Sequence, residues 1–463
     1  MQKKETKNKM ATVPINKLII SMGLPMIISM VLQAVYNIVD SAFVANMPQN
    51  GETALNALTL AFPMQMLMVA IGIGTGVGAN ALLAGCLGRS DREKASKTAG
   101  NAIFLGIIIY VVFLLFGVFG AKLYIKSQTS NALIAEMGTE YLGICCTLSF
   151  GIVFFSVFEK LLQASGHPIC STVAQISGAA ANIILDPIMI YGLFGCPEMG
   201  VAGAAYATVI GQWISAALGL FFHIKYNSEI SKKPKYLKPS LHIIGGIYSI
   251  GLPAIIAQAL MSIMTYGLNI ILGRVGEAFV TAYGLYYKLQ QFILFAAFGL
   301  RDAITPIIAF SYGMKSLPRV RDGIKFGIIY SLIIMLLGTI AAEAFAVPFT
   351  RAFGLSGETR SLCLSAMRII SASFVFAGAN IAFQGIFQAL NAGTETLIIS
   401  LGRQLVFILP VAYFLSRFVI NSAMPGYIIW FTFPFGELAT MLIGCAMLKT
   451  KYKNDITPKK LDF

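Results

Sequence analysis

The stretch Gly178-Ala-Ala-Ala-Asn182-Ile-Ile-Leu-Asp186-Pro187-Ile-Met-Ile-Tyr191-Gly192 places a carboxylate inside an apolar run long enough to cross a membrane. Asn182 and Asp186 are four apart, so on a helix their side chains lie one above the other on a single face. Pro187 has no N–H, which leaves the carbonyl of Ile183 without its helical donor beside that face. Three oxygen-bearing groups therefore converge. An acid inside a bilayer is costly enough to be functional by default; the plainer alternative is a helix-packing Asn followed by an Asp at the membrane rim.

Composition extends this reading to the whole chain. At 463 residues, 57% hydrophobic and 12% charged, with a mean hydropathy of +0.76, the sequence is too apolar for a soluble protein. Apolar runs of helical length predict twelve transmembrane helices, near 18–44, 54–83, 99–121, 134–158, 169–194, 200–224, 242–272, 278–308, 324–347, 361–388, 396–419 and 425–448. Strands of a membrane barrel would be about 10 residues long with strict alternation, which these runs lack. The expected class is an all-α integral membrane protein.

The net charge of +14 raises nucleic acid as a partner, but its distribution argues against one. With the N-terminus placed in the cytoplasm, 24 of the 34 Lys and Arg fall on the inner side, in residues 1–17, 89–97, 225–238, 315–325 and 449–460 and at Lys160. This positive-inside pattern predicts cytoplasmic termini and contact with anionic lipid. The N-terminal run is too long for a signal-peptide core and is read as a retained first helix. Seven cysteines without a CxxC pair, and three histidines at predicted helix ends, offer neither a disulfide framework nor a metal or nucleophilic cluster. An enzyme is not expected.

The chain repeats. Gly23-Leu-Pro25 returns as Gly251-Leu252-Pro253 at an offset of 228, and Gly88 and Gln163-Ala164 return as Gly313 and Gln388-Ala389 at 225. Two six-helix halves entering from the same side are parallel repeats: an N-lobe over 1–226, a cytoplasmic linker over 227–241 and a C-lobe over 242–463. On the first span Ser29, Gln33, Tyr36, Asn37 and Asp40 follow helical spacing and form one polar stripe, which must face protein or water. Pro25 marks a point where that helix can bend, as a tolerated kink or as a hinge. By depth, Asp40, Asp186 and Thr208 share the outer half of the membrane, with Gln212 one turn beyond Thr208.

The acids exist in one half only, since Asp40 maps to Leu268 and Asp186 to Val411. The second half has Lys288 and Glu437, roughly 15 and 18 Å deep at 1.5 Å per residue. They are read either as a buried ion pair or as a second ionisable site. Met261, Met264, Tyr283 and Tyr287 offer an adaptable wall for flat cations, or plain helix packing. Glu159 and Gln163 are placed at the cytoplasmic interface.

Taken in order, Gly23-Leu-Pro25, Tyr36-Asn-Ile-Val-Asp40, Gly72-Ile-Gly-Thr-Gly-Val-Gly78, Gln163-Ala-Ser-Gly166, Asn182-Ile-Ile-Leu-Asp186-Pro187 and Gly203-Ala-Ala-Tyr-Ala-Thr208 resemble the multidrug and toxic compound extrusion (MATE) family over essentially the whole chain, and within it the DinF-like branch. The resemblance implies two six-helix lobes in a V and export of cationic or amphipathic compounds against inward H⁺ or Na⁺. It also implies a cation site on Asp40, Asn182, Asp186 and Thr208.

Burial favours the protonated form of a carboxylate, and a second carboxylate nearby favours it further, so such a site alternates between protonated and ion-bound forms. The expected protein is a monomeric antiporter of the bacterial inner membrane, taking small organic cations and using no cofactor beyond H⁺ or Na⁺. The rivals are a flippase for lipid-linked oligosaccharides or polysaccharides of the same superfamily, which calls for a basic cavity, and an integral-membrane enzyme acting on lipid intermediates, which calls for an interfacial catalytic cluster.

Overall fold

The computed structural model describes residues 8–47, 51–352, 355–422 and 424–455; the side chains of Asn37, Ile38, Glu52, Ala352 and Asp455 lie outside the described residues. Ten helices are long and apolar enough to span a membrane, from Ile15–Ala45 to Gly426–Asn454. Two further spans are broken: Ala132–Thr147 meets Phe150–Ala164 at 45°, and Gly357–Ser371 meets Phe374–Ala389 at 51°. Twelve spans follow among the described residues, at the places the apolar runs predict. Side chains on their outer faces are apolar, as lipid requires: Val112, Phe119, Leu337 and Ile340 are each more than half exposed.

The breaks were not expected. Each sits at a serine in a corresponding place of the two halves, Ser149 and Ser373, and the Ser373 hydroxyl donates to the carbonyl of Ile370 at 2.6 Å. At Ser373 such a hydroxyl, bonding back to the helix before it, competes with the regular ladder and bends it; the Ser149 hydroxyl is buried without a partner among the described residues, so that break has no such bond. Hydropathy averages over such a point and cannot see it.

The described residues pack as two compact units. One comprises Met1–Thr12 and Ile28–Ile255, the other Val13–Ile27 and Ile256–Phe463. These boundaries are not those of the sequence repeat, because the opening of the first span belongs to the second unit and the opening of the seventh to the first. Glycines explain both placements. In the first unit a Cβ on Gly74 would lie 2.9 Å from the carbonyl oxygen of Gly251 and would strike Ile255; in the second, a Cβ on Gly299 would lie 2.7 Å from Cα of Ile27. Gly74 and Gly299 are 225 apart and Ile27 and Ile255 are 228 apart, so the two contacts are one contact repeated. Close backbone approach of this kind is how helices associate in lipid, where apolar side chains gain nothing over lipid tails.

Candidate cation site

The fifth span, Pro168–Tyr191, ends at Gly192, whose left-handed φ of 71° closes the helix. On its inner face the Asn182 amide donates to Oδ1 of Asp186 at 3.0 Å, and both side chains are buried, Asp186 completely. The four-residue spacing read from the sequence makes that bond. Pro187 lies inside the helix one residue further on. The Tyr191 hydroxyl donates to the carbonyl of Phe43 at 2.7 Å and ties the end of this span to the first.

The polar stripe of the first span faces the fifth. Ser29 donates to Oε1 of Gln175, and Gln175 donates through Nε2 to Oε1 of Gln33 at 3.2 Å. Gln175 was not among the expected residues. It precedes Asn182 by seven positions, two helical turns, and so shares its face; that spacing was the available signal.

Two adjoining cavities place the remaining residues. The smaller, about 50 Å³, is bordered by Gln33, Tyr36, Gln175, Asn182, Thr208 and Gln212. The larger, about 320 Å³, is bordered by Tyr36, Asp40, Gln65, Tyr141, Thr208 and Gln212. Tyr36, Thr208 and Gln212 are common to both and link Asp40 on one side to Asn182 on the other. Gln65 and Tyr141, hydrogen-bonded at 3.4 Å, are further lining residues that sequence reasoning missed.

Four oxygens here are buried and without a hydrogen-bond partner among the described residues: Asp40 Oδ1, Asn182 Oδ1, Asp186 Oδ2 and Thr208 Oγ1. Buried polar atoms are nearly always paired, and each unpaired one costs about 1–3 kcal/mol. Oxygens of this kind from three helices suit a proton or a hard cation. Among the described residues no three His, Cys, Asp or Glu gather as a metal site.

The second unit fills the corresponding space. At the offset of 225, Leu58, Ala61, Ala205 and Thr208 become Tyr283, Tyr286, Trp430 and Phe433. Tyr283 stacks on Phe433 with ring centroids 5.8 Å apart, and all four rings are buried. Of the expected substrate-lining residues, Tyr283 and Met264 therefore lie in this core, while Met261 and Tyr287 are half-buried.

The expected pairing of Lys288 with Glu437 is corrected by the structure. Arg403 takes the carboxylate, donating from Nη2 at 2.8 Å and from Nε at 3.1 Å to the same oxygen, and the Asn380 amide donates to the other at 2.7 Å. Lys288 is exposed and forms no ion pair among the described residues. It lies two residues past the buried Tyr286, about 200° around the helix and thus on the opposite face. Arg403 sits in a π-helical turn, Gly402–Val406, that regular periodicity does not anticipate. Glu159 and Gln163 are also buried, in a cluster with Lys160 whose ammonium donates to Gln163 at 3.1 Å.

Twelve spans in two like halves, with an asymmetric oxygen site in one, define a multi-pass helical membrane protein built by duplication. The MatE family model matches it twice, over residues 25–188 and 253–414, and the chain belongs to that family. It is 27% identical to the multidrug export protein MepA of Staphylococcus aureus over 418 residues, covering 87% of this chain and 88% of that protein. A similar relative, also MepA, occurs in Staphylococcus haemolyticus, with 27% identity over 405 residues, 86% of this chain and 87% of that one. Among solved structures, the outward-facing conformation of a multidrug resistance MATE family transporter of the MOP superfamily superposes with a TM-score of 0.90 at 24% identity, over 98% of this chain and 99% of that one. A MOP superfamily transporter from Pyrococcus furiosus, described as having a binding pocket of reverse polarity, superposes at 0.88 with 25% identity, over 97% and 99%.

Proposed function

We propose that the protein is a secondary active transporter that exports cationic or amphipathic small molecules in exchange for H⁺ or Na⁺, with Asp40, Asn182, Asp186 and Thr208 holding the coupling cation. The observation that carries this reading is the set of four buried, unpartnered oxygens from the first, fifth and sixth spans. Multidrug export by the MepA relatives supports the substrate class. A cation or proton among these oxygens neutralises the two acids, and Asn182 orients Asp186 to receive it. Tyr36 and Gln212, which border both cavities, are placed to pass polar contact from one to the other. Neutralising Asp40 removes the repulsion between the two carboxylates, so the first span can repack, bending at Pro25; only such a difference in interaction biases one conformation over another.

The proposed setting is the bacterial inner membrane, with both termini cytoplasmic and the protein monomeric. The deciding experiment is efflux of an organic cation from proteoliposomes under H⁺ and Na⁺ gradients imposed separately. Export driven by one gradient and abolished by its collapse supports antiport. Export indifferent to both sinks it.

A further inference from the structure

On the first unit, apart from the cation site, the third, fourth and sixth spans and the segment after the sixth enclose a groove of about 530 Å³. Phe150, Phe154 and Phe158, each one turn from the next, line one side of it, and Trp213, Ala217 and Leu220 the other. Phe150 stacks on Phe154 at 4.3 Å between centroids and meets Trp213 at 5.6 Å. The indole N–H is already spent on the carbonyl of Leu148, at 3.1 Å, so at this end of the groove Trp213 offers no free donor. Phe150 and Trp213 remain 37% and 46% exposed, which is to say open to the lipid side.

The other end, the mouth of the groove, is different in chemistry. Lys232 and Lys233 line it. They are held in place, because the segment that carries them is strapped to the third span. The Ser231 N–H donates to the Ser96 hydroxyl and the Ser240 N–H to Oδ1 of Asn101, both at 2.8 Å. Between these two anchors the carbonyl of Tyr236 lies where a Cβ on Gly100 would be. Lys232 also donates to the carbonyl of Ile224, at the end of the sixth span. From Trp213 to the end of that span at Tyr226, 13 residues at 1.5 Å each cover about 20 Å. That is a little more than one leaflet of a hydrocarbon core about 30 Å thick.

An apolar trough one leaflet long with two ammonium groups at its mouth complements an amphiphile with a long chain and an anionic head. We propose that this groove binds an anionic glycerophospholipid, with one acyl chain along the Phe150–Phe158 face and the headgroup phosphate on Lys232 and Lys233. The inference goes beyond the transport reading and stands without it. An organic cation, the cargo proposed above, meets like charge at this mouth.

Full-length protein in detergent, titrated with phosphatidylglycerol or with phosphatidylcholine and read by native mass spectrometry, tests it. The wild type is expected to retain phosphatidylglycerol over phosphatidylcholine by on the order of tenfold, as two lysines at an anionic headgroup provide. Lys232→Ala with Lys233→Ala brings the two lipids level without changing phosphatidylcholine retention, and Ala217→Trp, which fills the trough, lowers both. All three positions are exposed, so none of the substitutions enters the packed core. Millimolar inorganic phosphate leaves the bound lipid in place. Equal retention of both lipids by the wild type overturns the proposal, as does a preference that survives in both variants or displacement by phosphate alone. Ala217→Trp that impairs export while lipid retention is unchanged marks a cargo pocket and overturns it equally.

Discussion

Asp40→Asn preserves size and hydrogen bonding but cannot ionise. It should fold and insert, yet lose gradient-driven efflux in proteoliposomes by about tenfold or more, with Asp186→Asn equally severe and the double variant little worse than either, because groups acting on one cation are not additive. Normal coupling in Asp40→Asn would remove the site from this half. Glu437 supplies the contrast. Glu437→Leu strands a buried guanidinium and should cost about 3–5 kcal/mol, seen as a large fall in melting temperature, whereas adding Arg403→Met should restore most of it. Failure of the second change to rescue the first would deny that the pair acts as a pair. As candidates, Asp40, Asn182 and Asp186 stood out in the sequence because intramembrane acids are rare and a spacing of four fixes a helical face, and Thr208 because it shares their depth. Arg403 did not, since its partner depends on a π-helical turn and on contact between two helices. The repeat held the clue: at 225, Arg403 and Glu437 stand where Gly178 and Gln212 stand, and Gly178 packs against Gly211.

Within elements, the eighth span offers a test that separates packing from the proposed contact with cargo. Tyr283 is buried against Phe433, so Tyr283→Ala should destabilise by about 3–5 kcal/mol and lower the amount of folded protein for every substrate alike. Tyr287 is half-buried, and Tyr287→Ala should weaken export of flat aromatic cations more than of aliphatic ones, since only the former lose a ring face. Transport assays normalised to folded protein distinguish the two; equal losses for all substrates in Tyr287→Ala would return that residue to packing. The spans themselves were readable because twenty apolar residues have few alternatives to a membrane helix. Their breaks at Ser149 and Ser373 were not, because a bend of two residues leaves hydropathy unchanged.

For the molecule as a whole, the charge asymmetry makes a topological prediction. A cysteine introduced by Lys233→Cys into a variant whose seven native cysteines are replaced by serine should resist an impermeant maleimide added to intact cells and react after permeabilisation; labelling from outside would invert the assigned orientation. The duplication was legible in Gly-Leu-Pro and its return, and the two matches of the family model repeat it. What the repeat did not reveal is which unit each opening helix joins, because that depends on the contacts of Gly74 and Gly299 and not on periodicity.

That exchange of opening segments has a consequence for how the chain is made. The first unit lacks its contact at Gly74 until the ribosome has passed Ile255, well beyond the end of the sixth span. The second waits for nothing new at its start, since Val13–Ile27 is among the first material synthesised and is stored until Gly299 emerges. A chain severed in the segment after the sixth span thus yields two fragments that each hold a piece the other needs. Co-expressed, they should assemble in the membrane; expressed singly, each should be cleared by quality-control proteolysis as an unfinished fold.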